Sequence, residues 1–305
     1  MPAILLGEPA LALIRDVFGQ RDLFRDLPRI EKRVVAWGKD STPVVLDHSA
    51  VVVSEELLLK SLWEGLEDCD SQPVDPESAW TVYASRPLPS DVVEHRFGTR
   101  HAFAAPVEIR DEPGPAACSI ESLEQGWLFL VPDAPGSGWL LSVGCPVSGE
   151  SPIEALLSHS RTIAGRISKL LPGGGDFPAY PRIASPLCGP GWLACGTAAM
   201  AFDPICGDGT AHAVREAILT AAVIRAAANG SDARELFSHY EARLTAGFAR
   251  HLVNCLEFYR LGAAGPWWES EIESVQDGLE WCARQGRGHT EYRYRLNGFD
   301  LQRIG

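Results

Sequence analysis

Residues 189 to 227, GPGWLACGTAAMAFDPICGDGTAHAVREAILTAAVIRAA, read as a strand, a turn of small residues, an Asp-Pro step, a glycine-rich loop and a long helix. Few folds accept that order. Trp192 to Cys195 is a buried strand by composition, and Gly196 to Ala199 lets the backbone approach a neighbour closely. Asp203 and Pro204 lead into Gly207-Asp208-Gly209, which opens the helix. The amides from Gly207 to Thr210, reinforced by the helix dipole, form a site for negative charge or an electron-rich carbonyl. The same residues also read as a plain glycine turn with an Asp/Thr helix cap.

Around this stretch the chain divides by pattern. In LLGEPALALIRDVFG, Leu11, Leu13, Ile14 and Val17/Phe18 share one helical stripe that stops at Gly19. KRVVAWG (32 to 38) and SAVVVS predict short strands, and Ser54 with Glu55 and Glu56 predicts a helix through about Leu66. Residues 67 to 78 are polar with two prolines and predict a loop. From Trp80 to about Val147, short apolar runs alternate with Pro/Gly turns, the pattern of an antiparallel sheet. Ser151 and Glu154 predict a helix that carries Leu156, Leu157, Ile163, Ile167 and Leu170 and ends at Pro172. Further helices are predicted at about 209 to 228, 232 to 260 and 268 to 285. A βαβ-like start, then strands, then helices gives an α/β (α+β) class.

The charge balance excludes one large class of partners. Lys and Arg number 27 against 40 Asp and Glu, a net charge of -13, which opposes binding to nucleic acid through its phosphates. No window approaches eighteen consecutive apolar residues and no signal peptide is visible, so a cytoplasmic protein with no membrane partner is expected. The eight cysteines contain no C-x-x-C pair, and no metal site is predicted.

The 189–227 run resembles the flavin-contacting C-terminal motif of the FAD-dependent monooxygenases of the para-hydroxybenzoate hydroxylase type, the family that includes flavin halogenases and the flavoprotein maturases of oxidases. Gly196, Thr197, Ala198 and Ala199 look like its Gly-Asp-Ala-Ala run, whose Asp meets the flavin ribityl chain. Asp203, Pro204, Gly207, Asp208, Gly209 and Thr210 are similar to the Asp-Pro and helix start facing the ring. LLGEPALALIRDVFG resembles the family's Gly-Glu stretch. WTVYASRP looks like a shortened Asp-Ala-Thr-Gly-Arg turn, with Arg86 either meeting a pyrophosphate or solvated. EQGWLFLVP is similar to the substrate-sheet strand. Together the matches run from about residue 5 to about residue 260.

The resemblance implies an FAD/NAD(P)-binding-type flavoprotein monooxygenase fold, N-terminally truncated by about 30 residues, the size of the G-x-G-x-x-G βαβ unit. Its implied domains are 1–83 with 184–230 as the FAD-binding remainder, 84–183 as an antiparallel substrate domain with one long helix, and 231–305 as C-terminal helices. Thr197 departs from the motif, since a hydroxyl lacks a carboxylate's acceptor strength. The implied activity is FAD-dependent oxidation of an aromatic small molecule or a protein-bound aromatic side chain, through a flavin hydroperoxide. Electrons would come from a flavin reductase or NAD(P)H. The implied pocket is lined by Trp127, Phe129 and Trp139, residues that equally suit a strand core, and by His212, which equally suits helix packing. Trp267 and Trp268 fit a lid or interhelical packing. The alternative is a non-catalytic remnant of the fold that serves as a binding module.

Overall fold

The computed structural model describes residues 3–38, 42–64, 66, 80–110, 116–145, 152–286 and 294–304. In chain order the first elements are β1 (Ile4–Gly7), α1 (Glu8–Val17), β2 (Arg29–Ala36), β3 (Val44–Val53), α2 (Glu55–Glu64), β4 (Thr81–Tyr83) and β5 (Val93–Arg96). There follow β6 (His101–Ile109), β7 (Ala117–Leu123), β8 (Gly126–Ala134), β9 (Ser137–Gly144), α3 (Pro152–Leu157), β10 (Ile167–Leu170), β11 (Gly175–Pro178) and β12 (Arg182–Ser185). The last are β13 (Cys188–Gly189), β14 (Trp192–Ala194), α4 (Gly196–Ala199), β15 (Met200–Ala201), α5 (Gly209–Ala228), α6 (Ala233–Arg260), α7 (Pro266–Gly286), β16 (Tyr294–Asn297) and β17 (Asp300–Arg303). Among the described residues no helix is long and apolar enough to cross a membrane.

Two compact units share this chain. One comprises residues 1–69, 99–179 and 257–272, and the other 70–98, 180–256 and 273–305. These limits differ from the implied domains, because the first strands belong with the sheet that follows.

The first unit is built on a nine-stranded sheet in the order β1-β3-β2-β7-β8-β9-β6-β10, with β11 also on β6. Every pairing is antiparallel except β2 with β7. The βαβ-like start expected from the sequence is therefore corrected: β2 and β3 form an antiparallel pair. Residues 37–43 alone join them, and a parallel crossover takes about a dozen. On one sheet face Ala105, Val107, Leu123, Leu128, Leu130 and Leu140 pack under Ile153, Leu156, Ile163 and Ile167.

The long helix expected after residue 151 is also corrected. Among the described residues it is one short helix, α3, and then a strand, β10. Ser151 and the 67–78 loop lie outside the described residues. The physical cause is the buried Glu121 carboxylate, which accepts the N–H groups of Arg161 at 2.7 Å and Ile163 at 3.0 Å and the hydroxyl of Ser160 at 2.5 Å. A turn held by a carboxylate cannot continue as a helix, and Ile167 to Leu170 pair with β6 instead. Gly174 follows at φ +111°, where an added Cβ would sit 2.0 Å from the Ala104 carbonyl oxygen.

The opposite sheet face meets aromatic rings. Trp127 is buried against Trp37, and Trp37 meets Trp268 edge to face at 5.6 Å. Trp268 donates its indole N–H to Leu123 O at 2.8 Å, so the Trp267-Trp268 pair is packing of the α6–α7 turn. Beside it Arg100, fully buried, pairs with the carboxylate of Glu271 and lies 4.8 Å from the Tyr259 ring.

The second unit is mostly helical. Helix α5 and the larger parts of α6 and α7 carry the core residues Leu219, Val223, Leu236, Tyr240, Phe248, Leu252, Val275 and Trp281. Two small sheets, β15-β12-β5 and β13-β14-β4, accompany them. Strand β4 thus lies outside the large antiparallel sheet in which the sequence pattern placed it. The predicted helix starts near 209, 232 and 268 agree with the observed ones within two residues.

Candidate functional site

The 189–227 segment folds as its pattern predicts. Strand β14 pairs in parallel with β4, and Cys195 N–H donates to Tyr83 O at 2.9 Å. The Gly196–Ala199 turn then carries Thr197, exposed, with its hydroxyl 3.3 Å from Ala84 O. Gly196 N–H donates to Glu216 Oε2 at 2.8 Å. Glu216 was not among the residues singled out from sequence. Burial on α5 pushes its carboxyl up to about 7, against the Gly196 bond that lowers it.

Asp203 is buried, and its Oδ1 accepts Ile205 N–H at 2.9 Å, capping the 3₁₀ turn Pro204–Cys206. Its carboxylate is thus engaged by its own turn. Gly207 ends that turn at φ +64° in the left-handed region, where glycine is at ease. Asp208 precedes α5 without capping it. Its Oδ2 meets His212 Nε2 at 2.9 Å, and its Oδ1 is buried with no partner among the described residues. Burial pushes the Asp208 carboxyl up, but the His212 hydrogen bond and the nearby His212 and His251 outweigh it, so it lies below the usual range. His212 stacks on Phe202 at 4.4 Å. Ideal Cβ atoms at Gly207 and Gly209 would meet nothing within 4 Å, so open space borders the helix start.

The structure gathers Gly196, Thr197, Asp203, Pro204, Gly207, Asp208, Gly209, Thr210 and His212 into one stretch of the second unit. Arg86 belongs to this unit too. It pairs with Glu94, which also holds Arg96 at 2.6 Å and Arg182 at 2.8 Å. Burial lowers the Arg86 guanidinium pKa, and the like charges of Arg182 and Arg96 add to that. Trp127, Phe129 and Trp139 belong to the first unit, where the register puts all three on one sheet face. Trp127 is packed in the core and the other two are half-buried.

One further cluster was passed over in the sequence. Cys206 Sγ lies 3.9 Å from Cys255 Sγ, and Cys255 Sγ lies 3.2 Å from His251 Nε2. The hydrogen bond with Cys255 pulls the Cys206 thiol below its usual range against burial, and His251 adds to the effect. The available signal was His251 and Cys255 four residues apart in a helical stretch, hence on one face. Cysteine spacing predicts no metal site, yet the fold brings three residues with metal-ligating atoms together.

No family model and no curated protein sequence matches the chain. Solved structures do. The myxobacterial FAD-dependent chondrochloren halogenase CndH is 15% identical with a TM-score of 0.71, over 97% of this chain and 84% of that one. The peptidyl tryptophan dihydroxylase QhpG, essential for tryptophylquinone cofactor biogenesis, is 15% identical at 0.72, over 100% and 78%. HpxO of Klebsiella pneumoniae, solved with FAD, is 13% identical at 0.57, over 94% and 86%. The chain is thus mixed α/β with a large sheet, in the fold of the flavin-dependent halogenases and hydroxylases.

Proposed function

We propose that this protein is an FAD-dependent oxidoreductase of the monooxygenase type whose substrate is an aromatic group, on a small molecule or on a partner protein. The observation that carries the reading is the start of α5: uncapped first-turn amides, open space at Gly207 and Gly209, and the orphaned Asp208 Oδ1. This donor and acceptor set fits the ring end of a flavin, which offers carbonyl oxygens to the amides and an N–H or ribityl hydroxyl to the carboxylate. Three guanidiniums on Glu94 leave excess positive charge, which suits a pyrophosphate.

When bound, reduced FAD supplies the activation of oxygen. The chain's own residues do the rest. The amides of Gly209 and Thr210 hold negative charge at the helix dipole. Asp208 fixes the orientation of His212 through Nε2. Phe129 and Trp139 share one face of the first unit's sheet, a surface suited to a flat aromatic group. Electrons come from a flavin reductase or NAD(P)H.

A second reading, a non-catalytic module that keeps the fold, is favoured by Thr197, whose hydroxyl stands where the resemblance expects a carboxylate. The visible spectrum of the purified chain, before and after incubation with FAD and desalting, separates the two. Retained or perturbed flavin absorption that weakens in Asp208→Ala supports the oxidoreductase. A colourless protein with no perturbation at excess FAD overturns it in favour of the module.

A further inference from the structure

Cys206 ends the turn before Gly207, while His251 and Cys255 stand one turn apart on α6. Their donor atoms all lie within 4.8 Å of one another. A tetrahedral zinc ion with Zn–S of about 2.3 Å and Zn–N of about 2.0 Å has an S···S edge of about 3.8 Å and an S···N edge of about 3.5 Å. The observed edges are 3.9 Å between the sulfurs and 3.2 Å from Cys255 Sγ to His251 Nε2. The remaining edge, from Cys206 Sγ to His251, lies within 4.8 Å and must close by up to about 1.3 Å, a shift of the half-buried Cys206 side chain.

The histidine is in the required form. Asp203 N–H donates to His251 Nε2 at 2.8 Å, so this nitrogen carries a lone pair and the ring proton sits on Nδ1. His251 and Cys255 are buried and Cys206 is half-buried, so the cluster is largely shielded from solvent. Two sulfurs and an imidazole select a borderline or soft ion over calcium or magnesium. A disulfide is a poorer description, since it needs an oxidant and closure from 3.9 Å to about 2.05 Å.

We propose that Cys206, His251 and Cys255 bind one divalent cation of the zinc class, with water in the fourth position. On binding, the two thiols release their protons to solvent and the imidazole lone pair turns from the Asp203 amide to the metal. The ion ties the loop before α5 to α6, across 49 residues of chain. This inference stands whether or not flavin binds.

The test uses the full chain, reduced, stripped with a chelator and titrated with cobalt(II). Expected is thiolate-to-cobalt charge-transfer absorption that saturates at one equivalent and is displaced by zinc. It is lost in Cys206→Ser and in Cys255→Ser, and His251→Gln weakens binding at least about ten-fold. Cys145→Ser, at an exposed cysteine of the other unit, leaves it unchanged. Should a variant fail to fold, the wild-type chain decides: zinc protects Cys206 from alkylation if the site exists and leaves its rate unchanged if it does not. Absence of the cobalt absorption, its persistence in both serine variants, or a Cys206–Cys255 disulfide that forms despite equimolar cobalt overturns the proposal.

Discussion

Replacing Glu216 with Gln should make the protein more stable as pH rises above about 4.5, with nearly the full gain reached by about pH 7. Glu216 is 7% exposed on α5, and its Oε2 accepts Gly196 N–H at 2.8 Å. Burial raises its folded pKa from 4.5 to about 7. A raised folded pKa means that the native state holds the proton more tightly than the unfolded chain does. The associated stability is complete below about pH 4.5 and is lost as pH rises through about 7. At about 1.36 kcal/mol per pH unit, that interval corresponds to about 3 kcal/mol by the upper end. Glutamine keeps a carbonyl oxygen for the Gly196 amide and has no charge to desolvate, so Glu216→Gln gains about 3 kcal/mol near pH 8.5 and almost nothing near pH 4. Urea denaturation at both pH values measures it. An equal effect at the two pH values, or a loss at the higher one, would refute the burial argument.

Three other perturbations follow from the geometry. Gly174→Ala forces a Cβ to 2.0 Å from Ala104 O at φ +111°, so a loss of about 3 kcal/mol is expected, whereas Gly207→Ala, with open space around it, loses about 1 kcal/mol for its left-handed φ; thermal melting compares the two. Glu271→Gln removes the carboxylate charge that faces the buried Arg100 guanidinium and should cost about 3–5 kcal/mol, and a loss under about 1 kcal/mol would mean that the ion pair contributes little. Burial, with Arg243 adding, holds the His239 imidazole down at about 4, so the unfolded chain takes up the proton first. Stability should fall between about pH 6.5 and about pH 4, and His239→Gln should remove that slope from a denaturation series.

Legibility in the sequence follows the range of the forces. Helices α1, α2 and α5 to α7 announce themselves because their apolar residues recur at helical spacing and their ends carry local stop signals, as at Asn229-Gly230. The 151–171 stretch misleads for a physical reason. Ile163, Ile167 and Leu170 satisfy a helical period, yet Glu121, about forty residues earlier in the chain, supplies the carboxylate that ends the helix. The β2–β3 pairing is hidden because the apolar pattern begins β3 only at Ser49, whereas the strand starts at Val44 and shortens the connection to a hairpin length. Among site residues, the Gly207 to Thr210 helix start is written in adjacent letters. Glu216 beneath Gly196 and Cys206 beside Cys255 are tertiary meetings that no local pattern encodes.

Each compact unit is assembled from three separate stretches, and the polypeptide passes between them five times along its length. Neither unit can therefore be released by one proteolytic cut or expressed as an uninterrupted gene fragment. A nick at any of the three inner crossings leaves both fragments carrying parts of both units. Any exchange of a segment that spans an inner crossing replaces parts of both units at once.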